Sequence, residues 1–232
     1  MRHHLTLTLM LASSLAWTAC RDTSRSADAP AASGTAAVPH AASPPVNAKA
    51  DADAFLEALR THCGQAFGGR IVANTPESDD DPFVGRALVM HVRECEVDTL
   101  RIPFHVGDDR SRTWVLTRTG RGLRLQHDHR HRDGTPDILT MYGGDTQGSG
   151  TAGRQEFPVD VFSQALFTRE QRAASLTNVW AMEIEPHRTF AYELARPGRL
   201  FRVEFDLSRP VALPPAPWGA QPHNAPGGGV TP

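Results

Sequence analysis

The stretch Arg199-Leu-Phe-Arg-Val-Glu-Phe-Asp-Leu207 alternates apolar and charged side chains with a period of two. Successive side chains on a strand point to opposite faces, so Phe201, Val203, Phe205 and Leu207 share one face while Arg202, Glu204 and Asp206 share the other. That is a strand packed on one side and wet on the other. Runs of similar character lie upstream at Ile71-Val72 behind Gly68-Gly69, and at Arg86 to Cys95, Thr99 to Val106, Arg112 to Arg118 and Gly122 to His131. Others span Ile138 to Tyr142, Val179 to Glu185 and Thr189 to Ala195. Turn formers separate them at short spacings: Gly107-Asp108-Asp109, Gly120-Arg121-Gly122, Asp133-Gly134, Glu185-Pro186-His187 and Arg196-Pro197-Gly198. Strands joined this tightly are antiparallel neighbours.

Two helices interrupt the pattern. The first is expected to be capped by Asp53, to carry the stripe Phe55, Leu56 and Leu59, and to stop at Gly64. The second is expected between Asp160 and Ser175, where Thr168-Arg-Glu-Gln171 has the spacing of a capping box. The class that follows is mainly β: an antiparallel up-and-down meander that closes into a barrel, in preference to a sandwich, with an N-terminal helix and one short helical insertion. A helix before a Gly-containing first strand, followed by up-and-down hairpins, resembles the calycin and lipocalin plan. The resemblance is of architecture only, because no Gly-x-Trp stands near Gly68.

Four segments resemble a family of proteobacterial exported proteins of uncharacterised activity: Thr61-His-Cys-Gly-Gln-Ala-Phe-Gly-Gly69, Phe104-His-Val-Gly-Asp-Asp-Arg-Ser-Arg-Thr-Trp114, His127-Asp-His-Arg-His131 and Met141-Tyr-Gly-Gly-Asp145. The resemblance implies export to the envelope and a shared fold, and no activity. The N-terminus agrees. Met1-Arg-His-His4, an apolar run from Leu5 to Trp17, and Thr18-Ala19 before Cys20 have the plan of an export signal, and the run is short for a retained membrane span. Cys20 resembles the lipidation site of a bacterial lipoprotein, with Trp17 where that signal usually carries Leu. This implies a protein anchored through an N-terminal lipid on the periplasmic side of a Gram-negative envelope, and the Arg21 that follows resembles the outer-membrane sorting pattern.

The organisation expected is an export signal over residues 1–19, the lipidated cysteine and a tether over 20–50, a barrel domain over 51–207 and a tail over 208–232. Ten Ala, four Pro and four Ser between Arg21 and Ala50 leave almost no large apolar surface to offset the entropy of ordering that stretch. Seven prolines from Ser208 onward do the same for the tail, although Trp218 can pin part of it to the domain. With Cys20 taken by lipid, Cys63 and Cys95 remain as a pair, which an oxidising compartment joins as a disulfide; the alternative is two buried thiols. The formal net charge of −2 excludes the broad basic excess of a nucleic-acid binder.

The candidate site is His127-Asp-His-Arg-His131. It continues a run in which Leu123 and Leu125 alternate with Arg124 and Gln126, so His127, His129 and His131 follow the apolar face toward one end of the barrel. Alternate residues on a strand are about 6.7 Å apart, close enough for two imidazoles to share an ion but poor for three in a row. A divalent transition metal would therefore need a donor from elsewhere, with His105, His91, Asp133 and Asp137 as candidates. Tyr142 and Asp145 flank the Gly-rich stretch from Gly143 to Gly153, read as a loop over one end of the barrel, and join the histidines as candidate ligand-binding residues. That stretch is no phosphate loop, because lysine is absent, and Ser149 lacks the Gly-x-Ser-x-Gly context of a hydrolase nucleophile. Trp114, Trp180 and Phe190 read as core, and the arginines between Arg101 and Arg132 as a solvated face.

Three functions are compatible with this pattern. The favoured one is a membrane-anchored module binding a small ligand or metal at a His-lined mouth. The others are a metal-dependent hydrolase or oxygenase at the same histidines, and a structural envelope protein. For the N-terminus, radiolabelled palmitate is expected to enter the wild-type protein and not Cys20→Ala; mature protein beginning at another residue overturns the lipid anchor.

Overall fold

The computed structural model describes residues 48–78, 81–148 and 150–220. Cys20, residues 1–19 read as an export signal, the stretch up to residue 47 read as a tether and the tail from residue 221 lie outside the described residues.

The chain opens with α1 (Ala48–Arg60), continues through β1 (Ala66–Thr75), β2 (Leu88–His91), β3 (Glu94–Cys95), β4 (Thr99–Val106), β5 (Asp109–Arg118), β6 (Leu123–His129), β7 (Tyr142–Asp145) and β8 (Arg154–Pro158), enters α2 (Val161–Arg169) and a 3-10 turn (Ala173–Thr177), and ends in β9 (Val179–Glu185), β10 (Thr189–Arg196) and β11 (Arg199–Val211). The strands form one sheet in the order β7-β6-β5-β4-β2-β1-β11-β10-β9-β8, with β3 paired to β4 off this path. Every pairing is antiparallel, and apart from β1 with β11, and β2 with β4 where the two-residue β3 intervenes, each neighbour follows the other along the chain. This is a meander in which first and last strands join, leaving one seam between β7 and β8. It is a nearly closed barrel.

The alternation of β11 sets inside and outside as its sequence requires. Phe201, Val203, Phe205 and Leu207 are buried in the core. On the outer face Arg202 contacts Glu183 at 2.6 Å and Glu193 at 3.2 Å, and Arg154 joins the same two glutamates. Across the middle of the barrel Phe104 stacks on Trp114 with centroids 4.8 Å apart, and Trp114 on Tyr192 at 4.6 Å.

Helix α1 seals one end. Ala52, Phe55, Leu56 and Leu59 are fully buried, while Asp53 pairs with Arg118 at the end of β5 and Arg60 donates to the carbonyls of Glu96 and Val97. The helix starts at Ala48, so Asp53 is not its cap: its carboxylate bonds Lys49 and Arg118 instead. Gly64 ends the helix as expected, with φ of 78° and its N–H on Val92 O. The disulfide Cys63–Cys95 ties this corner to β3 across a sequence separation of 32, with Cα atoms 6.3 Å apart. In the chain-entropy account a loop of this size is worth about 3 to 4 kcal/mol.

Three other expectations are corrected. The cap of α2 is Asp160, whose carboxylate accepts from Ser163 N at 2.7 Å; Thr168 lies in the last turn and donates back to Gln164 O. The run at Ile138 is loop, and its strand begins only at Tyr142, so Gly143 and Gly144 are buried strand residues and not part of a covering loop. The last strand continues to Val211, because Ala66 and Phe67 of β1 offer partners to Val211 and Pro210, and the chain beyond folds back: Trp218 N–H donates to Arg110 O at 3.0 Å. No helix among the described residues is long and apolar enough to cross a membrane.

At the seam a Cβ on Gly144 would lie 1.9 Å from Pro158 O, a backbone atom that cannot swing aside. Gly144→Ala is therefore expected to cost about 3 kcal/mol in chemical denaturation, an overpacking penalty. Gly153→Ala, whose nearest neighbour is Ile184 O at 3.6 Å, should stay within about 0.5 kcal/mol of wild type. Equal effects would contradict the close packing of β8 on β7.

Candidate functional site

Above the aromatic layer, at the end of the barrel opposite α1, lies a cavity of about 360 Å3. The strand register builds its wall. Trp114 of β5 stands opposite His127 of β6, and Arg112 opposite His129, while Tyr142 of β7 pairs with His127. From the other side come Trp180 of β9, with Tyr192 and Leu194 of β10, and loop residues Phe83, Leu139 and Phe167 complete the apolar lining. Exposed Arg172 stands among the lining residues, so the cavity opens to solvent on that side.

His127 is buried, with both ring nitrogens engaged. Nδ1 lies 3.1 Å from the carbonyl oxygen of Tyr142, which can only accept, so Nδ1 carries the proton. Nε2 then accepts from the Tyr192 hydroxyl at 2.8 Å. Burial, with His129 beside it, pushes the His127 pKa down to about 3, and the ring stays neutral. Its plane stacks on Tyr142 with centroids 4.7 Å apart. His129 is also depressed, to about 4, first by burial and then by Arg112. Its Nε2 is 3.3 Å from the Tyr142 hydroxyl, whose own pKa burial raises to about 12. The floor of the cavity is thus a neutral network of two imidazoles and two phenols.

The remaining candidates do not join it. The register expectation holds for His127 and His129, which line the cavity, but β6 ends at His129 and His131 turns out with its side chain 57% exposed, 3.9 Å from Asp137. Asp133 is exposed and accepts from Thr135, closing its own turn. His105 follows the parity of Arg101 and Pro103, while Ile102 and Phe104 face inward, so it sits on the outer side of β4 and cannot approach His127. There its Nε2 is buried without a hydrogen-bond partner among the described residues, and burial holds its pKa near 4. His91 shares that outer parity on β2. Asp145 forms two bonds to Arg124, at 2.6 and 2.8 Å, away from the histidines. Tyr142 and Asp137 do line the cavity. Among the described residues no three His, Cys, Asp or Glu side chains gather in a way that could hold a metal ion. In this arrangement the lone pair of His127 Nε2 faces the Tyr192 hydroxyl at 2.8 Å.

Reading the sequence missed half of the site. Trp114 and Trp180 are core, 2% and 1% exposed, and line the cavity as well. Arg112 belongs to the arginines that read from sequence as a solvated face, yet it shares the inward parity of Trp114 and Leu116. A charge on an inward row was the signal available. Comparison with protein-family models, curated proteins and solved structures gives no match to any of them, so the functional reading rests on these residues.

A neutral buried imidazole makes stability depend on acid. Unfolded His127 takes up a proton below about pH 6.5, whereas the folded form resists until about pH 3, so the unfolded state binds more protons throughout that window and stability is lost as the pH is lowered through it. Between pH 7 and pH 5 this one group should remove about 2 kcal/mol. Denaturation curves for His127→Gln are expected to lose about 2 kcal/mol less than wild type over the same interval; an identical loss in both overturns the neutral, bonded histidine.

Proposed function

We propose that this protein is an exported, lipid-anchored barrel of calycin-like plan that binds a small, largely apolar molecule at its open end, on the periplasmic side of the envelope. One observation carries the reading: a 360 Å3 cavity inside the barrel whose floor is aromatic and whose floor polar atoms are bonded to one another. Small-molecule sites are concave, mostly apolar, about 300 to 1000 Å3 in volume, and carry few polar groups. General-base hydrolysis is served by a base whose pKa lies near the working pH, or by an open metal position, and burial holds His127 down at about 3. Here the buried histidine is occupied at both nitrogens, and its partner tyrosine keeps its proton because burial raises its pKa well above the ordinary value.

The test uses the protein's own tryptophans. N-phenyl-1-naphthylamine, a neutral apolar fluorophore, is expected to bind with one-to-one stoichiometry and to quench Trp114 and Trp180. Leu194→Trp, which fills the cavity from β10, should weaken binding by about ten-fold or more, the loss expected when an apolar group of the ligand can no longer be buried. If instead zinc, iron or manganese co-purifies in stoichiometric amount and is lost in His129→Ala, a metal-dependent function replaces this one.

A further inference from the structure

The strands that reach the mouth share a device. On β5 the inward row Leu116, Trp114 ends in Arg112; on β10 the row Tyr192, Leu194 ends in Arg196; on β11 Arg199 precedes Phe201 and Val203. Arg172, after α2, is the fourth arginine lining the cavity among the described residues, and Asp137 is the one carboxylate among them. Ending an apolar inward row in a guanidinium costs desolvation that an outward position avoids. On the outer face of the same sheet Arg154 and Arg202 lie among glutamates.

The four are not equally satisfied. Arg112 pairs with Asp109 and Arg199 with Asp81. Arg196, half-buried, donates to the neutral Asn178 Oδ1 at 3.1 Å and faces the like charge of Arg199. Neither Arg196 nor Arg172 forms an ion pair with any described residue. Asp137 is engaged with its own loop, accepting from Leu139 N at 2.8 Å. The mouth therefore carries uncompensated positive charge directly above a neutral aromatic floor.

Resting on the reading of this cavity as a binding site, we propose that its ligand is an amphipathic organic acid: a carboxylate held by Arg172 and Arg196 at the mouth, with an apolar body lying on the rings of Trp114, Trp180 and Tyr142. The planar fork of a guanidinium matches a carboxylate, and such bonds are among the stronger ones available. A volume of about 360 Å3 suits a single medium-length chain or a small ring system and is far too small for a two-chain lipid.

Decanoate, decanol and decylamine share one apolar body and differ in charge. Titrated into the full-length protein and followed by tryptophan quenching, decanoate is expected to bind about ten-fold or more tighter than decanol, with decylamine weakest. The advantage of the acid should shrink with added salt, and in Arg172→Gln/Arg196→Gln the affinity ratio of acid to alcohol should fall to about two. If the double variant does not fold, Arg172→Gln at its exposed position gives the same comparison. Equal binding of decanoate and decanol to wild type, or a preference for the amine, overturns the acid while leaving the cavity a binding site. Failure of all three to quench removes the binding reading itself.

Discussion

A sheet of ten strands in a row has two edges, and an enclosed cavity requires that both be covered. Here the edges are β7 and β8, and the contact between them is made without a regular ladder. Gly143 N–H donates to Ser163 Oγ at 2.7 Å, the same hydroxyl donates back to Gly143 O at 3.2 Å, and Asp160 N–H donates to that oxygen at 3.0 Å. A serine at the start of α2 thus takes the place of a neighbouring strand for one edge residue. Unpaired backbone groups buried at such an edge would each cost free energy comparable to a lost hydrogen bond. The β6–β7 ladder sets Tyr142 alongside His127, and Phe167 of α2, which packs on the same edge, lines the cavity. The floor network lies beside this join, because the carbonyl fixing the tautomer of His127 belongs to the residue next to Gly143.

The two ends of the barrel divide the work. At one end four apolar residues of α1 fill the interior and a disulfide secures the corner. At the other, the strands bring large flat rings inward and stop short of filling the space above them. Rings pack efficiently with one another and leave a smooth surface, so the layer from Phe104 through Trp114 to Tyr192 completes the core below and floors the cavity above. The polar atoms such rings bring are neutralised in pairs, Tyr192 with His127 and Tyr142 with His129.

Most of the architecture was legible because alternation is strong wherever one face is core. β11, β10, β9, β4 and β6 have the expected bounds to within a few residues, and the cysteine pair follows from counting. β8 was not foreseen: Arg154-Gln-Glu-Phe-Pro158 carries one large apolar residue, and its inward Gln155 is buried by tertiary contact. β7 was hidden by its glycines, which signal a turn in isolation but here permit close approach of another backbone. The site was legible where a histidine continued an apolar row. His131 broke the rule because the strand ended before it, and the inward arginines were missed because local composition says nothing of which loops fold over them.

A barrel stopped at one end exchanges its contents at the other, where water leaving the cavity meets the molecule that replaces it. Exchange is then governed by the segments around that end, the loop carrying Phe83, the loop carrying Leu139 and the turn carrying Arg172, while the strands carry the load of stability. Loops tolerate change that strands do not. Residence time and durability can therefore drift independently in such a protein, the first by altering the rim and the second by altering the wall.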